Sequence, residues 1–310
     1  MTDRLIIIDW GTTAFRAWLV AAADGNVIAE IPDGLGMRAL ERSQFAAYCR
    51  ERLRDWLDTA SPPPVYMAGM VGAVQGWQQA PQPPLPITRA DLAANIVAVD
   101  DMPGAFILPG VRRAGPPAEA DVIRGEEVQI FGALAELGRE DAILCLPGTH
   151  SKWARVEADT FTHFSTSMTG EVYEVMLAHS ILRLTATPDA SFSPSAFETG
   201  LDQVQKPEGL LHHLFSARAR GLYGDIAPDE TASYVSGLLI GAEVAAMKDL
   251  YAPQDGEVLL VSAGRLRVPY ETALAHAGLK SLWVPAREAT LAGVRAIALS
   301  HIALSTETPQ

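Results

Sequence analysis

IIIDWGTTAFRAW, residues 6–18, is an apolar run that stops at an aspartate, turns through Trp-Gly-Thr-Thr and resumes as a second strand-like run. A hairpin between two core strands needs only Asn-Gly or Asp-Gly at its tip. This turn instead carries Asp9, Gly11, Thr12 and Thr13 within five positions. Backbone N–H groups converge in such a turn, and threonine hydroxyls add donors without a competing charge, so it can cup phosphate oxygens. Asp9 supplies a carboxylate through which Mg2+ can be held, directly or through water. An acid at this place also suits a plain turn or cap.

Outward from the turn, strands are predicted over 5–8, 14–20 and 27–31, with Asp24-Gly25-Asn26 between the last two. The three form an antiparallel meander. Over 43–57, Phe45, Cys49, Leu53 and Leu57 recur at spacings of four, which predicts an amphipathic helix capped by Ser43. After Ser61-Pro62-Pro63-Pro64 comes a strand over 65–68, then GMVGAVQGWQQAPQPPLP at 69–86, a long loop of the kind that carries function. Thr88 caps a short helix, 106–108 reads as a strand, and 112–121 is a Pro/Gly-rich connection. A lobe boundary is expected there, giving domains 1–115 and 116–310. Helix 126–137 follows, with Val128, Phe131, Leu134 and Leu137 on one face.

The opening pattern then recurs. AILCLPGTHSKWAR at 142–155 leads into a turn at 158–160 and a strand over 161–166. An offset of 137 residues sets Gly11-Thr12-Thr13 on Gly148-Thr149-His150 and the two third strands on each other. Two such turns facing each other make a phosphate clamp, although the slight identity also allows two unrelated meanders. Later, helix 231–250 holds Gly237 and Gly241 one turn apart, open to a packed backbone or a flat ligand. Strand 258–261 runs into Ser262-Ala263-Gly264 and a helix over 270–277, a strand-glycine-helix arrangement suited to a nucleotide. A strand at 282–284 and a helix at 288–303 complete the chain, which has neither G-x-x-x-x-G-K-[ST] nor G-x-G-x-x-G.

At 310 residues, 48% hydrophobic and 20% charged, the composition is that of a globular protein with enough chain for two lobes. A net charge of -13 argues against nucleic-acid and anionic-membrane partners, while a few local arginines still suffice for an anionic substrate. Cys49 and Cys145 suit packing rather than a disulfide or zinc framework. No uninterrupted apolar run reaches ~20 residues and MTDRLIII has no signal-type apolar region, so a cytoplasmic location without a membrane is expected.

DWGTTAFRAW and LPGTHSKW resemble the two phosphate loops of the actin-like ATPase superfamily of sugar kinases, Hsp70 and actin, and VSAGRL resembles its adenosine loop. More closely, GMVGAVQGW at 69–77, RGEEVQIFGAL at 124–134, LPGTHSKW at 146–153 and TSMTGEVYEVM at 166–176 resemble the 2-dehydro-3-deoxygalactonokinase family. The resemblance implies an α/β, two-lobed actin-like ATPase (ribonuclease H-like) fold with a nucleotide cleft between duplicated lobes. It also implies ATP and Mg2+ as cofactors and phosphoryl transfer to the 6-hydroxyl of 2-dehydro-3-deoxy-D-galactonate, a reaction of positioning and charge neutralisation.

On this resemblance Asp9 organises the metal. Gly11, Thr12, Thr13, Gly148, Thr149, His150 and Ser151 hold phosphates, and Gly237 and Gly264 meet the nucleotide. Arg16 and Lys152 offset developing charge, though Lys152 also reads as a solvated strand residue. Related sugar kinases place an acid just after a glycine at a helix start as general base. Gly125-Glu126 fits with Glu in place of Asp, and Glu127 and Glu171 are further candidates. First-turn acids are also favoured by the helix dipole alone. Gly69, Met70, Gln75, Trp77 and Glu127 are candidates for the sugar acid, although for Trp77 packing in the core under the loop is the favoured reading. Arg16, Arg38 and Arg124 in the site loops and Arg112 and Arg113 in the connection are the candidates for its carboxylate, and the sequence does not rank them. A kinase for another sugar or polyol and a non-catalytic ATP-dependent sensor are the alternatives. Oligomeric state and galacto or gluco preference stay open, with a homodimer as one candidate.

Overall fold

The computed structural model describes residues 3–115, 120–251 and 256–307. The chain divides into two compact units: unit 1 is Met1–Ala142, Val156–Phe164 and Ala286–Gln310, and unit 2 is Ile143–Arg155 and Ser165–Pro285. In chain order the elements begin with β1 (Arg4–Trp10), β2 (Phe15–Ala21), β3 (Val27–Ile31), α1 (Phe45–Arg52), α2 (Arg54–Leu57) and β4 (Val65–Ala68). Next come β5 (Ile87–Thr88), α3 (Arg89–Ala94), β6 (Val97–Ala98), β7 (Ala105–Ile107), β8 (Val111–Arg113), β9 (Asp121–Ile123) and α4 (Glu126–Leu137). β10 (Ala142–Leu146), β11 (Ser151–Glu157), β12 (Thr160–Ser167), α5 (Thr169–His179), α6 (Pro194–Val204) and α7 (Leu210–Tyr223) follow. The last are α8 (Thr231–Tyr251), β13 (Glu257–Ser262), α9 (Gly264–His276), β14 (Lys280–Pro285) and α10 (Ala286–Glu307).

One sheet runs β3-β2-β1-β4-β7-β6, and a second runs β14-β13-β10-β11-β12-β5. β1 pairs antiparallel with β2 and parallel with β4, and β4 is parallel to β7. In the second sheet β13 is parallel to both β10 and β14. The orders β3-β2-β1-β4-β7 and β12-β11-β10-β13-β14 therefore correspond strand for strand. That is the duplication expected from the recurring Gly-Thr turn.

In unit 1, Ile6, Ile8 and Trp10 point to one side of β1 and are fully buried, as period-two alternation requires. Trp10 meets Phe15 edge-to-face with centroids 4.8 Å apart, and Phe45 stacks on Trp77 at 6.0 Å. Such pairs add about 0.5–1.5 kcal/mol beyond area burial. The helix expected over 43–57 is divided. A short 3-10 turn at Arg42–Gln44 comes first, and Glu41, not Ser43, caps it through a reciprocal box with Gln44. Cys49 is fully buried on the helix that follows, and burial pushes its thiol up to about 12.

The division does not fall at the expected boundary between 115 and 116, because α4 and α10 belong to unit 1. The middle of the expected 112–121 connection, residues 116–119, lies outside the described residues. Its flanks form the antiparallel β8–β9 pair. α4 and α10 cross almost backbone to backbone. A Cβ on Gly132 would lie 1.8 Å from the Ala289 carbonyl oxygen, and one on Gly293 would lie 1.8 Å from that of Val128. Among the described residues, α10 is the one helix long and apolar enough by length and composition to cross a membrane. Here it packs on α4, α3, β1 and β4.

Candidate active site

Asp9 lies near the end of β1, opposite Arg16 in the β1–β2 register, and their side chains meet at 2.6 Å. Burial raises the pKa of Asp9, and the charge and hydrogen bond of Arg16 oppose that shift. The turn beyond is closed by Gly11 N–H donating to the Ala14 carbonyl at 2.9 Å. Thr12 is half-buried and Thr13 exposed. A second segment clamps this turn through its main chain, with Met37 N–H on the Gly11 carbonyl at 3.0 Å and Arg38 N–H on the Thr12 carbonyl at 3.1 Å. Gly36 permits the approach, since a Cβ there would lie 2.3 Å from the Thr13 carbonyl carbon. The Arg38 residue is exposed, so what the structure fixes here is its backbone.

Two glycines bring further elements to Asp9. Gly69, after β4, has φ +97°, and a Cβ there would lie 2.9 Å from the Trp10 carbonyl oxygen and 3.5 Å from Asp9 Oδ1. Gly125, before α4, has φ +103°, and its Cβ would lie 3.3 Å from Gly69 Cα. Neither conformation is one that other L-residues readily adopt. The half-buried Glu126 opens α4 directly beyond.

Glu127 is 1% exposed. Its Oε2 accepts the Gly125 N–H at 2.7 Å, and Oε1 is buried with no partner among the described residues. Burial, reinforced by the charge of Glu126, pushes its pKa up to about 8. Arg124 donates through Nη2 to the Ala80 carbonyl at 2.9 Å, while Nη1 is buried and unpartnered. Burial lowers the Arg124 pKa, and Glu127 opposes.

Other sugar-acid candidates are placed differently. Met70 is half-buried against the unit 1 core, and Gln75 is exposed. Trp77 is a core residue, stacked on Phe45, with its indole N–H on Asp101 Oδ1 at 2.9 Å. This corrects its assignment to the substrate. Arg112 is spent on the Gln82 carbonyl at 3.1 Å, and Arg113 on His163 Nε2 at 2.8 Å and the Phe164 carbonyl at 3.0 Å.

Unit 2 holds a cavity of about 280 Å³ whose walls include Gly148, Thr149, Thr169, Ser236, Arg265 and Tyr270. The 148–149 turn rests on the first turn of α5. Glu171 N–H donates to the Thr149 carbonyl at 2.9 Å, and a Cβ on Gly170 would lie 2.4 Å from the Gly148 carbonyl oxygen. A Cβ on Gly148 or Gly264 would meet nothing within 4 Å, so both border open space. His150 Nε2 lies 2.5 Å from Glu171 Oε2, which engages that carboxylate in unit 2.

Three expectations are corrected here. Ser151 is buried and donates to Glu243 Oε1 at 2.6 Å, so its hydroxyl points into the core instead of to phosphate. Lys152 is only 5% exposed, with Nζ donating to the His150 carbonyl at 3.1 Å, and is not a solvated strand residue. Gly237 serves helix packing, since a Cβ there would lie 2.1 Å from the Phe197 carbonyl oxygen of α6. Gly241 likewise abuts Val204 and Leu201.

The residue that sequence reasoning missed is Glu243, buried in α8 and hydrogen-bonded to Ser151, Trp153, Thr169 and Tyr270. Its signal was available: it is the one charged side chain in the run 234–247, YVSGLLIGAEVAAM.

A family model described as 2-keto-3-deoxy-galactonokinase matches residues 9–297. The 2-dehydro-3-deoxygalactonokinase of Escherichia coli strain K12 is 34% identical over 298 residues, 96% of this chain and 98% of that protein. A crystal structure of a Sinorhizobium meliloti protein provisionally named as a 2-dehydro-3-deoxygalactonokinase matches at TM-score 0.88 and 36% identity, covering 95% of this chain and 98% of that one. The activator of 2-hydroxyisocaproyl-CoA dehydratase from Clostridium difficile, solved with ADPNP, matches at TM-score 0.54 and 10% identity over 99% of each chain. That last likeness is one of fold alone. The architecture is the α/β fold of actin-like ATPases and sugar kinases that the resemblance implies.

Proposed function

The chain belongs to the 2-keto-3-deoxy-galactonokinase family, and on that premise we propose that it transfers the γ-phosphoryl group of ATP to the 6-hydroxyl of 2-dehydro-3-deoxy-D-galactonate. The products are the 6-phosphate and ADP. The observation that carries this reading is the meeting of Asp9, Gly69 and Gly125 in unit 1, where α4 begins with Glu126.

Glu126 acts as general base, taking the proton of the attacking hydroxyl. Its place favours it: it opens α4 directly after Gly125, which meets Gly69 beside Asp9, whereas Glu127 is buried on the Gly125 N–H. Arg124, with one buried guanidinium nitrogen unpartnered, receives the sugar-acid carboxylate. In unit 2 the cavity bounded by Gly148, Thr149 and Tyr270 takes the nucleotide, with Gly264 beside it at the start of α9. Lys152 holds positive charge behind the turn that faces the phosphates.

Asp9 fits Mg2+. Arg16 holds Oδ2, and this cation commonly takes one or two carboxylates with water and phosphate. Asp9 would be an anionic ligand from the protein, with water and phosphate oxygens completing the shell. Bound Mg2+ supplies charge neutralisation at the phosphate oxygens.

A coupled ADP-release assay across sugar acids and neutral sugars tests the reading. Turnover that depends on a 2-keto-3-deoxy sugar acid is expected. Equal turnover of neutral sugars overturns the substrate assignment, and ATP hydrolysis indifferent to any acceptor points to a sensor.

A further inference from the structure

Four side chains from three elements donate to one carboxylate. Glu243 Oε1 receives Ser151 Oγ at 2.6 Å and Trp153 Nε1 at 2.9 Å, both from β11. Oε2 receives Tyr270 Oη from α9 at 2.9 Å and Thr169 Oγ1 from the first residue of α5. Glu243 is 5% exposed on an otherwise apolar stretch of α8. Burying a carboxylate is costly unless every lone pair finds a donor, and an apolar side chain of similar size commonly packs at least as stably. Core stability alone therefore gives no reason for an acid here. What a fully satisfied polar network adds is a single arrangement of its members.

Two of the members form part of the wall of the unit 2 cavity, and a third is joined to it along the chain. Thr169 and Tyr270 line it, and Ser151 directly follows the 148–150 turn, whose Gly148 and Thr149 line it as well. We propose that Glu243 is the positioning residue of the nucleotide pocket, holding the phosphate turn, the start of α5 and α9 at the spacing that ATP requires. This rests on the reading of that cavity as the ATP site. Glu243 touches no group assigned to the sugar acid, so its influence falls on the nucleotide.

The test measures AMPPNP affinity by calorimetry, together with KM for ATP and for the sugar acid, in the full chain. Glu243→Gln can keep all four contacts if the Thr169 and Tyr270 hydroxyls turn to accept from the amide; Glu243→Leu keeps none. AMPPNP affinity is expected to fall in the order wild type, Gln, Leu. The Leu variant is expected to lose on the order of tenfold, or about 1.4 kcal/mol, with KM for ATP rising in step and KM for the sugar acid unchanged. Folded Leu and Gln variants with wild-type AMPPNP affinity overturn the proposal, as does an equal rise in both KM values. Should Glu243→Leu fail to fold, Ser151→Ala and Trp153→Phe each remove one donor without touching the cavity wall. An unchanged KM for ATP in both then overturns it. Ser236→Trp separates the premise: it should block AMPPNP binding, and if it does not, the cavity is not the ATP site and both readings fall.

Discussion

Gly125 and Gly69 meet main chain to main chain: a Cβ on the first would lie 3.3 Å from the Cα of the second, beside Asp9. Both have φ near +100°, so the start of α4 and the end of β4 are joined by two residues that only glycine fills without strain. Gly69→Ala would also drive a Cβ to 2.9 Å from the Trp10 carbonyl oxygen. Gly69→Ala and Gly125→Ala should each lower kcat strongly while costing about 1–3 kcal/mol of stability. Steady-state kinetics beside urea melts check this. Unaltered kcat in either folded variant shows that the contact does not set the site.

Glu126→Gln should lower turnover by roughly 10² to 10⁴, the range for losing a general base, with KM for ATP little changed. Rapid-quench measurement of the phosphorylated sugar acid reads the chemical step directly. Near-normal turnover removes Glu126 from the mechanism.

Glu127 links pH to stability with a definite sign. Its pKa is about 8 in the folded chain against an ordinary 4.5, so between these values the folded state binds the extra proton. Its contribution to stability therefore falls as pH rises from 4.5 to about 8, by at most about 1.4 kcal/mol per pH unit, and levels off above. Glu127→Gln should be more stable than the wild type at pH 8.5, and this advantage should shrink on going down toward pH 5. Urea midpoints across the range decide it; parallel curves show that Glu127 titrates as an ordinary acid.

Gly132→Ala and Gly293→Ala each place a methyl 1.8 Å from a facing carbonyl oxygen, so α4 and α10 must separate. Overpacking of this kind costs about 1–3 kcal/mol or more. Thermal melts should show a lowered Tm in both variants, and an unchanged Tm would mean that the helices shift without loss.

The strands and turns of the first meander, β4 and the bounds of α4 were legible because alternation, glycine punctuation and a run of helix-spaced apolar residues are local signals. The doubled Gly-Thr turn was legible as a repeat, and the two sheet orders repeat with it. Side-chain direction was not. Nothing local says that Ser151 turns toward Glu243 while its neighbours Gly148 and Thr149 line a cavity. Gly237 carries the same composition signal whether it admits a ligand or a helix, and only the position of Phe197 decides. α5, α6 and α7 were missed; α6 carries a start signal, Ser193 as cap with Pro194 as first residue, that the long gap before 231 concealed.

α10 closes a body whose first strand is β1, so the core of unit 1 joins residues from opposite ends of the described chain. During synthesis every strand and helix of unit 2 leaves the ribosome before residue 286 does. Until then Gly132 faces no helix, and the apolar side of α4 lacks its cover. Vectorial production thus sets an order of assembly: the inserted unit can be completed first, and the unit that begins the chain waits for its last helix.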